Sequence, residues 1–211
     1  MKMVDKIKFI FVMSLTLGRI PLILGFLAMN LINSDARDNP IWFSTAFAIM
    51  ILSALTDLFD GYFARKFNMT SRFGAYADPL ADKVFYLTAL PTLIYLAGLR
   101  GPDQFIHVRL LLGLAVIFLL RDQWVSFLRS IGAHYNVDAK ANWSGKARTV
   151  ISFPSICCIY YYLQAPSDWA LQLPRLFIYS VEGASVVINL ISIWVYSAYY
   201  WEWLKKDIRT P

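Results

Sequence analysis

Cysteine, histidine and charge are all scarce in this sequence. Its two cysteines, Cys157 and Cys158, are adjacent, a spacing that gives neither a metal clamp nor a strain-free bridge; they read as small core residues. Its two histidines, His107 and His134, have no partner at metal-ligand spacing, which excludes a zinc centre built on imidazole. His107 is placed at the outer headgroup level and His134 in a basic loop. Charged residues make up 16% of the chain and hydrophobic ones 58%, against about 25% and roughly 45–50% in soluble domains. That balance excludes an ordinary water-soluble fold. There is no internal repeat and no low-complexity tract, and 211 residues this apolar are expected to form one membrane domain, 1–211. The net charge of +6 would by itself admit a nucleic-acid partner, but the placement of the cations favours anionic lipid headgroups and phosphorylated small molecules instead.

Apolar runs are what the chain has in quantity. They predict an all-α fold: an integral membrane bundle of six transmembrane helices with a short basic N-terminal juxtamembrane segment. Lys2, Lys6 and Lys8 precede a first run over 9–32, which is too long for a secretory leader, contains Arg19 and lacks a small-residue cleavage site. Further runs cover 41–66, 79–98, 105–130, 149–163 and 173–200. Pro79 suits the first turn of the third helix, and Pro154 predicts a kink in the fifth. Gly101 and Pro102 break the chain between the third and fourth. Thirteen Lys and Arg fall on the side of the termini and four (Arg37, Arg100, Arg109, Arg175) on the other. This bias puts both termini in the cytoplasm of a bacterial inner membrane, or in the matrix of a mitochondrion. Aromatic rings near Trp42, Trp169 and Trp201 are placed at the interfaces.

Polar residues interrupt this pattern most sharply between 57 and 82. Asp57 and Asp60 are three residues apart and Asp78 and Asp82 four apart, so on helices each pair shares a face. An ionised carboxylate at mid-membrane costs roughly 2.5–3.5 kcal/mol, and four together require cations or a wet cavity. Two divalent ions, Mg2+ or Mn2+, satisfy four hard oxygen donors and suit phosphoryl chemistry. A cation path through a carrier is the competing reading of buried acids, but it leaves the other fixed positions unexplained. Gly61 and Ala64 clear space beside the first pair, Arg65 offers a planar fork to phosphate, and Gly74 lies where the chain turns back. The spacing is D-x2-D-G-x2-A-R-x8-G-x3-D-x3-D.

That spacing, filled at every fixed position, resembles the signature of the CDP-alcohol phosphotransferase family. The resemblance implies an integral-membrane enzyme that moves a phosphatidyl group from CDP-diacylglycerol to an alcohol and releases CMP. It further implies that Asp57, Asp60, Asp78 and Asp82 hold the metal pair, that Asp82 also acts as general base, and that Gly61, Ala64, Arg65 and Gly74 form the cytidine and diphosphate pocket. Homodimers are usual in the family, so a homodimer is implied as well.

The acceptor is read from the basic residues. The strings Arg121-Asp122, Arg129 and Ser144-Gly145-Lys146-Ala147-Arg148-Thr149, together with Ala81-Asp82-Lys83, are similar to those of the phosphatidylglycerophosphate synthase branch. They imply glycerol 3-phosphate as acceptor, with Arg121, Arg129, Lys140, Lys146 and Arg148 gripping its phosphate. Upstream, Leu15, Thr16 and Arg19 fit that branch, whereas Val12 and Met13 stand where proline and asparagine are usual. Inositol phosphate, serine and phosphatidylglycerol remain open as acceptors, and a non-enzymatic carrier or scaffold is the alternative class. The polar segment 131–148 is read as a loop on the side of the aspartates, able to close over them. Arg19, central in the first span, is either a structural partner for an aspartate or a phosphate contact. Glu182, with Asn189 on the same helix, reads as an acid packed against a neighbouring helix rather than a transport path.

Overall fold

The computed structural model describes residues 3–67, 72–137, 143–169 and 171–209; the side chains at 4–7, 57, 58, 60, 61, 64, 65, 72–76, 78, 79 and 209 lie outside the described residues. Those described residues contain six α-helices, one turn of 3-10 helix at Pro102–Gln104 and no strand. The helices are α1 (Met3–Ile32), α2 (Pro40–Lys66), α3 (Arg72–Gly98), α4 (Phe105–His134), α5 (Trp143–Gln164) and α6 (Arg175–Arg209). Four segments, Lys8–Ile32, Leu80–Gly98, Pro102–His134 and Arg175–Ile208, are long and apolar enough to cross a bilayer. Their outward faces carry Leu31, Leu87, Leu120 and Trp194, each more than half exposed. Apolar faces this extensive are stable against lipid rather than water, and the chain is a membrane protein.

Five boundaries differ from the sequence reading, two of them because α1 already begins at Met3 and α4 continues to His134, which lies in its last turn rather than in a loop. Helix α3 begins at Arg72, so Gly74 and Asp78 lie within the helix and Pro79 in its second turn rather than its first. A proline there removes one amide donor, a local loss that tertiary packing and neighbouring polar groups in a bundle can offset. Helix α5 begins at Trp143, which moves Ser144, Gly145, Lys146 and Arg148 from the expected loop onto helical turns; Arg148 is buried there by a partner on α4. Pro154 lies inside α5 without ending it. Helix α6 continues past Tyr200 through the Trp and Lys cluster to Arg209.

The described residues group into two compact units, Met1–Pro102 with Ile159–Gln172, and Asp103–Cys158 with Leu173–Pro211. In the first, α1 packs on both α2 and α3. Phe11 meets Phe63 and the Ser53 hydroxyl donates to the carbonyl of Arg19, a pairing order that makes α1 and α2 antiparallel. The last turn of α5 closes this unit. Tyr160 is buried between Phe26 and Phe43 and donates to Asn30 Oδ1, and Gln164 bonds both Ser34 O and Ala36 N in the α1–α2 connection. Within that connection Asp35 binds Arg37, whose guanidinium lowers the carboxyl pKa to about 2; after α3, burial lowers the pKa of Arg100 to about 10.

In the second unit α4 and α6 are parallel. The partners run in step along both helices, from His107 with Glu182 through Arg121 with Ser192 and Trp124 with Ser197 to Tyr135 with Asp207. A parallel pair needs a return element between its members, and α5 supplies it, running the other way as Arg148 meets Asn189 and Ser155 meets Ser185. Cys157 and Cys158 on α5 are unbonded and only partly buried, so they are not the core residues expected. Leu128, Val125, Tyr196 and Tyr200 form the core at one end of the α4–α6 contact.

Gly132 sets how closely these helices approach, because a Cβ at this position would lie 2.3 Å from Cε1 of the buried Tyr200. Gly132→Ala is therefore expected to destabilise the protein by about 1–3 kcal/mol through overpacking, despite the better helix propensity of alanine. A thermal unfolding midpoint in detergent equal to or above that of the wild type would contradict this close approach.

Candidate functional site

The carboxylate motif is divided between two helices. Asp57, Asp60, Gly61, Ala64 and Arg65 lie on the last three turns of α2, and Gly74, Asp78 and Asp82 on the first three of α3. The side chains of Asp57, Asp60, Ala64, Arg65 and Asp78, and what surrounds Gly61 and Gly74, are outside the described residues. The side chain of Asp82 is among those described. Its carboxylate is about half exposed at 52%, and Oδ1 accepts a 2.7 Å hydrogen bond from Nη1 of Arg19, whose side chain is 2% exposed. Arg19 thus joins all three helices, through Asp82 on α3 and through its carbonyl to Ser53 on α2. A buried guanidinium is stable only when paired, so the bond fixes the direction of the carboxylate while leaving part of it accessible. The partner reading of Arg19 is the arrangement observed.

No group of three or more His, Cys, Asp or Glu arranged to hold a metal occurs among the described residues, and three of the four motif aspartates lie outside that set. The donor chemistry of the four fits a hard divalent ion, being all carboxylate oxygen. Arg19 on Asp82 fits too, since ligating carboxylates are themselves usually held by hydrogen bonds from an outer shell.

The second unit holds a buried basic cluster. Arg121 donates from Nη1 to Asp122 Oδ1 at 2.9 Å, and from Nε and Nη2 to the Ser192 hydroxyl at 3.0 and 2.8 Å. Arg148 Nη2 lies 3.0 Å from Oδ1 and 3.1 Å from Oδ2 of the same Asp122, and its Nε donates to Asn189 Oδ1 at 3.2 Å. Both guanidiniums are about nine-tenths buried, and each lies over a ring, Arg121 over Tyr196 at 5.5 Å and Arg148 over Phe118 at 4.6 Å. Two cations share one carboxylate in this dry setting, where a further anionic oxygen among their donors would be held by charge-assisted hydrogen bonds.

The start of α5 borders this cluster. A Cβ on Gly145 would lie 3.1 Å from the Tyr196 hydroxyl and 3.8 Å from Arg121 Nη2, so glycine here lets the helix end pack closely on the Tyr196 hydroxyl, beside the guanidinium. Ser144 Oγ is buried and has no hydrogen-bond partner. First-turn amides, an unsatisfied hydroxyl and two converging guanidiniums together make a setting for a phosphate oxygen.

Of the five expected acceptor-binding residues, Arg121, Arg129 and Arg148 come together, Arg129 by donating to the Tyr196 hydroxyl at 3.0 Å. Lys146 is on the same helix as Arg148 but exposed, and Lys140 lies outside the described residues. Sequence reasoning missed Asp122, Ser192 and Tyr196 as parts of this cluster. The signal was available: Glu182, Ser185, Asn189, Ser192 and Tyr196 recur at steps of three and four along an otherwise apolar α6, and all five are buried. Such a stripe marks the face of a membrane helix that turns inward. Glu182 is packed as expected. Its Oε1 shares a 2.6 Å hydrogen bond with Nε2 of His107, which is fully buried among α4 and α6 residues.

Residues 10–197 match the family described as "CDP-alcohol phosphatidyltransferase". A Bacillus subtilis protein named "CDP-diacylglycerol--glycerol-3-phosphate 3-phosphatidyltransferase" is 26% identical over 92% of this chain and 96% of its own length. A protein of the same name from Blochmanniella floridana is 29% identical over 67% of this chain and 70% of its own length. One from Cereibacter sphaeroides is 38% identical, but the match spans only 52% of this chain and 47% of that protein.

Proposed function

Because this chain belongs to the CDP-alcohol phosphatidyltransferase family, we propose that it transfers the phosphatidyl group of CDP-diacylglycerol to glycerol 3-phosphate, giving phosphatidylglycerophosphate and CMP. Proteins named for this reaction align with most of the chain. The structural observation that supports the choice of acceptor is the buried cluster in which the guanidiniums of Arg121 and Arg148 converge on Asp122, a set of planar donors suited to a phosphate. Serine brings no phosphate for these donors.

In this reading Asp57, Asp60, Asp78 and Asp82 hold two divalent ions, Mg2+ or Mn2+. Bound there, the ions neutralise charge on the diphosphate and on the departing CMP. Gly61, Ala64, Arg65 and Gly74 receive the cytidine and diphosphate. Arg121, Arg129 and Arg148 hold the acceptor phosphate, to which Lys140 and the exposed Lys146 add weaker attraction. An acceptor hydroxyl then attacks the phosphorus that carries diacylglycerol; its new P–O bond replaces the one to CMP, and its proton passes to Asp82. Arg19 keeps the Asp82 carboxylate aimed.

The reading places six helices across the membrane. At about 1.5 Å per residue, α2 and α5 reach roughly 40 and 33 Å, enough for a hydrocarbon core of about 30 Å. The thirteen-to-four bias of Lys and Arg favours termini and aspartates on the cytoplasmic side of a bacterial cell membrane. One functional domain is supported by a family match that runs through residues of both units, and a homodimer follows from the family resemblance.

The test is CMP release by the purified protein in detergent with CDP-diacylglycerol and Mg2+, offering glycerol 3-phosphate, inositol phosphate, inositol, serine and phosphatidylglycerol separately. Release is expected with glycerol 3-phosphate, lost on chelation and restored by Mg2+ or Mn2+. Release with a different acceptor alone would keep the chemistry and overturn the acceptor. No release with any of them, from a folded protein that binds metal, would favour a carrier or scaffold.

A further inference from the structure

We infer that Asp122 is a positioning residue that determines how the acceptor phosphate is oriented, by holding the guanidiniums of Arg121 and Arg148 on one carboxylate. This rests on the reading that these arginines bind the acceptor. Arg121 comes from α4 and Arg148 from α5, and both carry the same charge; without an anion between them they repel, and each side chain has several rotamers that would carry it away. Asp122 meets both, Oδ1 taking Nη1 of Arg121 at 2.9 Å while Nη2 of Arg148 straddles its two oxygens at 3.0 and 3.1 Å. Ser192 and Asn189 on α6 fix the remaining edges through Nε of each arginine. The planes of both forks are therefore set before any ligand arrives. Arg121 still has one hydrogen on each terminal nitrogen not committed to these partners, and Gly145 keeps the space beside Nη2 open.

Asp122 has two opposed effects. It aims the donors, which favours a ligand that must be held in one orientation for its distant hydroxyl to react. It also cancels half the charge, which weakens the grip on any anion. Removing its charge separates the two. In Asp122→Asn the cluster gains net positive charge, so inorganic phosphate, which needs no orientation, inhibits more strongly. The same change misplaces the acceptor, and kcat/KM for glycerol 3-phosphate falls on the order of 10- to 100-fold. The KM for CDP-diacylglycerol stays within about twofold, since the donor meets other residues, and Asp122→Glu, which restores the charge, returns part of the acceptor turnover.

The experiment measures both kinetic constants and the inhibition constant of inorganic phosphate for wild type, Asp122→Asn and Asp122→Glu, with the shift in thermal midpoint produced by phosphate as a readout that needs no turnover. Acceptor turnover falling while phosphate binding tightens supports the inference. Both weakening together would mark Asp122 as merely structural, and neither changing, or both improving, would also overturn it. Should the wild type use another phosphorylated acceptor, the acceptor assignment fails and Asp122 is judged with that acceptor. Should the wild type release no CMP, the functional reading fails by itself. The inference then stands or falls on whether phosphate stabilises Asp122→Asn more than wild type.

Discussion

Asp82→Asn is expected to lower CMP release by a factor on the order of 10² to 10⁴, the range that a positioned general base contributes. The substitution removes the proton acceptor, and in the proposed site it also removes charge from the metal-holding set. A second effect has to be separated from the first. Arg19 is nearly fully buried and bonded to Asp82 Oδ1, and stripping the partner from a buried charge costs about 3–5 kcal/mol. That figure is an upper bound here, because half of the Asp82 side chain is open to solvent. Asparagine also retains an oxygen able to accept from Nη1. The variant is therefore expected to fold, with a lowered thermal midpoint, and to be inactive at temperatures well below its unfolding. Retention of more than about a tenth of the wild-type rate in a folded sample, where loss of a base costs at least about 10², would remove Asp82 from the role of base. A lost rate accompanied by lost helical signal would instead assign the residue to the α1–α3 contact.

The contrast between the two halves of the proposed chemistry explains what could be read in advance. The carboxylate motif occupies 26 consecutive residues, 57–82, and its meaning lies in spacing along the chain. Periodicity placed it on two helices correctly, apart from the start of α3. The basic cluster is another matter. Asp122 and Arg148 are 26 positions apart, Arg121 and Ser192 71, and His107 and Glu182 75, so their partnership depends on how α4, α5 and α6 pack. Charge along the segment 131–148 suggested a loop, because Lys and Arg ordinarily mark solvated backbone. Arg148 inverted that rule: a buried carboxylate one helix away made an arginine compatible with the first turns of a packed helix. Even so, polar residues that are rare in an apolar span carry positional information, and the three-and-four stripe on α6 pointed to the interior face without any knowledge of its partners. That α4 and α6 run in the same direction follows from alternating spans, but that these two helices pack against each other had no such signal in the sequence.

Arg148→Met and Lys146→Met are expected to differ sharply although the two cations are only two positions apart. Both were read from the sequence as phosphate-gripping, but Arg148 is buried against Asp122, Asn189 and Phe118, whereas Lys146 is exposed. Truncating one partner of a buried, hydrogen-bonded charge pair costs about 2–5 kcal/mol, and each 1.4 kcal/mol is about tenfold. Part of this loss falls on the fold, because among the described residues Asp122 retains only Arg121 as a charged partner. The remainder falls on the acceptor, and we expect kcat/KM for glycerol 3-phosphate to drop on the order of 100-fold in Arg148→Met. An exposed cation contributes about 0–1 kcal/mol in water, so Lys146→Met should change the same constant by less than about fivefold. Arg148→Lys is not expected to rescue, since an ammonium lacks the planar fork that reaches Asn189 and Asp122 together. The measurement is the acceptor dependence of CMP release for the three variants beside their thermal midpoints. Equal losses at 146 and 148 would mean that the acceptor meets the exposed face of α5 and not the buried cluster. Unchanged acceptor dependence in a double variant would remove both residues from acceptor binding.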